Sequence, residues 1–160
     1  MAAADPAADI QRLRASIGAF ALSVRGLPPD DFLRTVTEWS PRDVTAHLIG
    51  WNSYTLAGCR DILRGVAPFY LADVAHDFRN INAASVRRYG SADKDVLLSQ
   101  LCETAHALLG YLTTLSSEDW ERDTGLREPD GGLLLIRNDI VALIEDYDGH
   151  AREIASWTRC

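Results

Sequence analysis

The sequence predicts an all-α protein, a four-helix bundle with one extra short helix. Apolar side chains recur with helical spacing in four segments of about 20 residues each. No segment shows the sustained two-residue alternation, bounded by turns, that indicates β-strands. The 160 residues suit one domain, so we predict a single bundle domain over residues 1–160.

The first two helices are predicted from their periodicity and their ends. Apolar side chains three or four positions apart predict a helix over residues 7–25, and a glycine and two prolines follow it. The second helix has the clearest start, because Ser40-Pro41-Arg42-Asp43 offers a capping hydroxyl, a proline at the first helical position and a carboxylate at the third. We expect this helix to end near Arg64.

The second half of the chain continues the helical pattern. The remaining predicted elements are, in order, an apolar and aromatic loop at 66–76, a short helix at 77–89, a long helix that follows a cap at 90–93 and ends near 115, a single turn at 116–120, a charged loop at 122–132 and a last helix at 134–157. The short helix and the 66–76 loop are expected to cover one end of the bundle.

The composition limits the classes of partner and compartment that we expect. The net charge of −7 argues against nucleic acid and against an anionic membrane surface, since both attract basic faces. The three cysteines are far apart and form no C-x-x-C pair, which argues against a disulfide framework or a zinc knuckle. No signal peptide and no apolar run of membrane-spanning length are recognisable, so we predict a cytoplasmic protein.

One face of the second helix carries a candidate pocket. His47, Gly50, Trp51, Tyr54 and Gly58 lie on this face at helical spacing. The glycines remove side-chain volume, and the aromatic residues supply walls with polar atoms. The alternatives are that His47 is a satisfied core histidine and that Trp51 folds across the space to make a closed core.

The last helix offers two further polar side chains on one face. Asp146 and His150 are four residues apart, so they are neighbours that could bind one ion. With His47 they would provide two imidazoles and a carboxylate, the donor set of catalytic zinc sites and of some iron or nickel sites. The alternative is a surface ion pair beside the solvated acidic residues Glu145 and Asp148.

Three stretches resemble a known family. The segment from Trp39 to Trp51, WSPRDVTAHLIGW, resembles the W-(S/T)-x-x-D-(V/I)-x-x-H-L-x-x-W segment of the DinB-like superfamily of four-helix bundles. The stretch 80–89 is similar to the corresponding region of its ClbS/DfsB branch, and the stretch 146–154 is similar to the closing helix of the family. The resemblance implies an up-down-down-up bundle and a divalent metal, zinc or nickel.

The resemblance also assigns ligands to positions of this chain. His47 matches the histidine ligand of the second helix, and His150 matches the last ligand of the closing helix. Asp146 stands where many members have histidine, although the mycothiol-dependent maleylpyruvate isomerase branch has a carboxylate there. Members include thiol-dependent transferases and isomerases, so a low-molecular-weight thiol is a second candidate cofactor, and they include resistance proteins for reactive natural products.

Three functions remain open on the sequence. The first is a metal-dependent enzyme that hydrolyses, isomerises or transfers a thiol to a small reactive metabolite. His47 and Tyr54 would then be catalytic, in a substrate pocket formed by Gly50, Trp51, Tyr54 and Asn82. Without a metal, His47 oriented by Asp146 could act as a general base on water.

The other two functions need no catalysis. The second is a self-protection protein that binds or sequesters a natural product without metal. The third is a structural homodimer with a vestigial pocket, suggested by the apolar residues Phe69, Tyr70 and Leu71 in a loop. The same three residues could instead cover the mouth of the pocket.

Overall fold

A computed structural model describes residues 5–73 and 77–157 of the chain. It confirms the all-α prediction, and the described ranges contain two isolated β-bridges but no strand. The four long helices are α1 (Pro6–Arg25), α3 (Pro41–Leu63), α5 (Lys94–Leu112) and α7 (Ile136–Trp157). The shorter elements are α2 (Pro29–Leu33), a 3₁₀ helix (Phe69–Ala72), α4 (Arg79–Tyr89) and α6 (Ser117–Trp120).

The four long helices enclose one hydrophobic core. Helix α1 packs against α7, and α3 packs against α5, with further contacts between α3 and α7 and between α1 and α5. Helix α4 lies against α3. The largest fully buried side chains include Phe20, Leu48, Leu101, Trp120 and Tyr147. Burial of these apolar surfaces is the main stabilising term of a bundle of this kind.

The capping pattern read from the sequence fixes the start of α3. Ser40 Oγ accepts a hydrogen bond from Asp43 N (3.2 Å), and Asp43 Oδ2 accepts one from Ser40 N (3.0 Å). This capping box satisfies backbone donors that the first turn leaves free. Because the helix begins at a defined residue, the face on which His47 lies is defined as well.

The structure differs from the sequence prediction in small elements. Helix α2 was not predicted, since five residues carry no periodicity; it begins at Pro29 and has Asp30 and Asp31 in its first turn. The predicted loop at 66–76 contains the 3₁₀ helix, and its residues 74–76 lie outside the described ranges. Within the described residues, no helix has the combination of length and apolar character that crossing a membrane requires.

Candidate metal site and cavity

Helices α3 and α7 bring the three predicted ligands together. Nε2 of His47 lies 2.9 Å from Asp146 Oδ2, and Nε2 of His150 lies 3.3 Å from Asp146 Oδ1. One ligating atom from each residue lies within 4.8 Å of the other two. The carboxylate therefore lies between the two imidazoles.

The protonation of His47 follows from its other neighbours. Trp51 Nε1 donates a hydrogen bond to Asn82 Oδ1 (2.8 Å), and an indole nitrogen can only donate. The same oxygen lies 3.1 Å from His47 Nδ1. An amide oxygen can only accept, so Nδ1 of His47 carries a proton. Nε2, the atom that faces Asp146, is then the nitrogen that can bind a metal ion through its lone pair or, when it is protonated too, donate a hydrogen bond to the carboxylate.

His150 has a carboxylate on each side. Its Nδ1 lies 2.9 Å from Glu153 Oε2, and its Nε2 faces Asp146. Burial would lower the pKa of His150, but the hydrogen bonds to Asp146 and Glu153 outweigh it and raise the pKa above its usual value. The ring of Trp39 lies against both imidazoles, with centroids 5.0 Å from His47 and 6.4 Å from His150.

Asp146 is held in its ionised form. Burial alone would raise its pKa, but hydrogen bonds from His150 and His47 hold it well below its usual range. Its side chain keeps 36% of its surface exposed, whereas His47 is almost fully buried. The carboxylate oxygens therefore contact the two histidines, while part of the side chain remains exposed to solvent.

The donor set fits a divalent transition metal. Ligand atoms on a tetrahedral zinc ion are about 3.4 Å apart, close to the two histidine–carboxylate distances in this site. In each imidazole the nitrogen that points away from the cluster, Nδ1, contacts an oxygen. This oxygen is Asn82 Oδ1 for His47 and Glu153 Oε2 for His150. Such partners orient metal-bound histidines and fix their tautomer. His47, Asp146 and His150 are thus the residues that could hold a metal ion.

A cavity of about 650 Å³ opens beside this cluster. It lies between α3 and α7, and the 3₁₀ helix and α4 contribute further wall residues. The volume suits a small organic molecule. Its lining residues include His47, Trp51, Thr55, Tyr70, Leu71, Phe78, Asn82, Asp139, Leu143 and Asp146.

The far side of the cavity contains a second polar pair. Tyr70 donates its hydroxyl hydrogen to Asp139 Oδ2. Burial raises the pKa of Asp139 to about 6, although the Tyr70 hydrogen bond acts in the opposite direction. Burial and the neighbouring carboxylate raise the pKa of Tyr70 as well, so its phenol is neutral.

The structure corrects the predicted roles of the two glycines. A Cβ atom at Gly50 would lie 2.1 Å from Ser85 Oγ, and one at Gly58 would lie 2.1 Å from the Tyr70 hydroxyl. The glycines therefore allow α4 and the 3₁₀ helix to approach α3 closely. Gly50 is a packing contact and does not line the cavity.

Tyr54 also lies away from the predicted pocket wall. Its hydroxyl is 3.1 Å from Ser85 Oγ, and its ring packs edge-on against Trp51 and Phe69. Because its hydroxyl is paired with α4, Tyr54 is badly placed to donate a proton in the cavity. Trp51 and Asn82, by contrast, line the cavity.

Trp39 and Asp139 are residues of the site that the sequence analysis did not single out. Trp39 was part of the family segment but had no assigned role. Asp139 lies seven residues before Asp146, two helical turns along the same face, and this spacing was the available signal. Tyr70 was predicted to roof the pocket or to form a dimer interface; it lines the cavity, as does Leu71. The homodimer stays a prediction.

The chain was compared with known proteins. No family model matches the sequence, and no curated protein does so significantly. Solved structures do match. DfsB, described as a sibling lethal factor precursor, has a TM-score of 0.76 at 16% identity, over 96% of this chain and 95% of that one. A protein from Streptococcus pneumoniae has a TM-score of 0.79 at 12% identity, over 99% of this chain and 93% of that one.

A third similar structure corrects one prediction. The colibactin self-resistance protein ClbS, solved in complex with a dsDNA, has a TM-score of 0.76 at 14% identity, over 97% of this chain and 96% of that one. This finding contradicts our prediction of no nucleic-acid partner, and the argument from net charge on which that prediction rested was wrong. Net charge is a sum over the whole molecule, whereas contact with phosphates depends on the charge at one face.

The identities are low, but the matches cover nearly the whole of each chain. The resemblance noted in the sequence is therefore confirmed at the level of the fold. The chain has the same helical fold as DfsB and ClbS.

Proposed function

We propose that this protein is a metal-dependent enzyme that modifies a small reactive metabolite by hydrolysis, isomerisation or thiol transfer. The observation that carries the proposal is the convergence of His47, Asp146 and His150 at the wall of a cavity of about 650 Å³. Three protein ligands beside open space are typical of catalytic sites, whereas structural zinc sites use four.

The surrounding residues support a catalytic site in physical terms. A divalent zinc or nickel ion bound there would lower the pKa of a coordinated water or thiol, or polarise a carbonyl. Asn82 and Trp51 keep the Nε2 lone pair of His47 pointed at the site. The aromatic and aliphatic side chains of the wall would displace water from the parts of a substrate that they contact, which would strengthen electrostatic interactions there.

Metal titration tests the proposal. Zinc and nickel binding to protein freed of metal is measured by calorimetry for the unaltered chain and for His150→Ala. We expect the variant to lose more than roughly 100-fold in affinity, since even the loss of a ligand's hydrogen-bond partner typically costs 10–100-fold. His106→Ala is the matched control, because His106 is an exposed residue of α5. Equal affinity in all three proteins would overturn the metal site.

A second candidate is a protein that sequesters a natural product without metal. Its specific support is that Asp146 already pairs with both histidines, so the cluster is electrostatically satisfied by itself. The similarity to the self-resistance protein ClbS agrees with such a role. A cavity ligand that binds equally well in the unaltered protein and in His150→Ala, with no turnover in either, would favour sequestration over catalysis.

A further inference from the structure

The charged side chains that line the cavity are predominantly acidic. The described residues that line the cavity include five carboxylates and neither a lysine nor an arginine. The acidic members are Asp77, Glu128, Asp139, Glu145 and Asp146. Low-dielectric walls concentrate the field of such charges inside a cleft. An anionic ligand would be repelled from this cavity.

Asp139 is a largely buried acidic group of this wall without a countercharge among the described residues. Its side chain accepts a hydrogen bond from the neutral phenol of Tyr70. Among the described residues it forms no ion pair, in contrast to Asp146 with its two histidines. A largely buried carboxylate without a cationic partner is costly, and an arriving cation would relieve that cost.

Aromatic rings line the same cavity, and one of them, Tyr70, contacts this carboxylate through its hydroxyl. The Trp51 ring contacts the Tyr70 ring at 5.4 Å and the Phe78 ring at 5.1 Å between centroids, both edge to face. All three rings line the cavity. Aromatic faces attract ammonium groups, and the attraction grows when water is excluded. Aromatic rings in the same cavity as a carboxylate without a countercharge therefore favour an organic cation over a hydrated metal ion.

We infer that the ligand of this cavity carries an organic cation, a protonated amine or a quaternary ammonium, which binds at Asp139 beside Trp51 and Tyr70. This inference rests on the proposed function, because it takes the cavity as the substrate site, and it adds the substrate class. Asp139 and Asp146 are seven residues apart on α7, a rise of roughly 10 Å. The cationic group and the reacting group of the ligand are accordingly separated by about this length.

The test compares three probes on metal-free protein by calorimetry. Phenethylammonium is the cation, 2-phenylethanol is its neutral counterpart of similar size, and phenylacetate is the anion. We expect phenethylammonium to bind at least tenfold more tightly than the alcohol, and phenylacetate not to bind. Equal binding of cation and alcohol, or no binding of the cation at millimolar concentration, would overturn the inference. This comparison uses the unaltered chain, so it does not depend on any variant folding.

Two variants locate the cation. Asp139→Asn keeps an acceptor for Tyr70 and removes the charge, and it should lower phenethylammonium affinity about tenfold while leaving 2-phenylethanol unchanged. Asp30→Asn makes the same change of net charge at an exposed position of α2 and should leave both affinities unchanged. If Asp139→Asn binds the cation as well as the unaltered chain, the cation binds elsewhere and the inference fails. Metal titration is read separately, so a failure of the metal site and a failure of the cation site are distinguishable.

Discussion

The close approach of α4 to α3 at Gly50 supports a quantitative prediction. In Gly50→Ala the new methyl group would lie 2.1 Å from Ser85 Oγ and 2.8 Å from Ser85 Cβ. Non-bonded carbon atoms prefer about 3.5–4.0 Å, so α4 must move outward by about 1 Å. Overpacking of this kind costs about 1–3 kcal/mol of unfolding free energy.

A second glycine provides the reference. Gly110 on α5 is also helical, and a Cβ there would meet nothing within 4 Å. Gly110→Ala should therefore stabilise the protein by up to about 1 kcal/mol through helix propensity alone. Both variants gain this propensity term, so their difference isolates the clash. We expect Gly50→Ala to be about 1–3 kcal/mol less stable than Gly110→Ala.

Urea denaturation followed by circular dichroism measures both free energies. A double-mutant cycle with Ser85→Gly should recover part of the loss, because that change removes the side-chain atoms that the new methyl group would meet. Asn82 lies one turn before Ser85 on α4. Gly50→Ala should therefore also weaken the hydrogen bond that Asn82 Oδ1 accepts from His47 Nδ1. If Gly50→Ala stabilises the protein as much as Gly110→Ala does, the close approach is absent and the reasoning is refuted.

Two further predictions concern the site. Asn82→Leu removes the acceptor of His47 Nδ1 and should lower zinc affinity by roughly 10–100-fold in a calorimetric titration; an unchanged affinity would show that this hydrogen bond does not orient the ligand. Burial raises the pKa of Asp139 to about 6 in the folded protein. Between about pH 4 and pH 6 the folded protein therefore binds a proton at Asp139 that the unfolded chain has lost. Because of this difference, the free energy of unfolding that Asp139 contributes falls as the pH rises through this range. Urea denaturation measures the free energy of unfolding of Asp139→Asn and of the unaltered chain across this pH range. We expect the value for the variant minus that for the unaltered chain to rise by about 1–3 kcal/mol from pH 4 to pH 6. A difference that stays constant would contradict the raised pKa.

The helices were predictable because their signals are local. Periodicity and the caps at Ser40 and Asp93 lie within a few residues of the structure that they specify. The same holds for the ligand pair Asp146 and His150, whose four-residue spacing places both on one face. The five-residue helix at Pro29 was missed since a single turn has no period to detect.

The cavity was only partly predictable because its walls come from distant parts of the chain. A glycine on an inward face is compatible with open space and with close approach of another element, and only tertiary structure distinguishes them. At Gly58 the approaching group is the Tyr70 hydroxyl, which also explains why Tyr70 reaches Asp139. The acidic character of the cavity likewise depends on tertiary structure, because Asp77 and Glu128 come from loops and join the three carboxylates of α7.

X-ray absorption of the zinc-loaded protein tests the central claim most directly. If His47, Asp146 and His150 hold the metal, the first shell contains only nitrogen and oxygen at about 2.0–2.2 Å, with the outer-shell scattering of two imidazoles. A sulfur shell at about 2.3 Å, or a spectrum without imidazole scattering, would contradict the site.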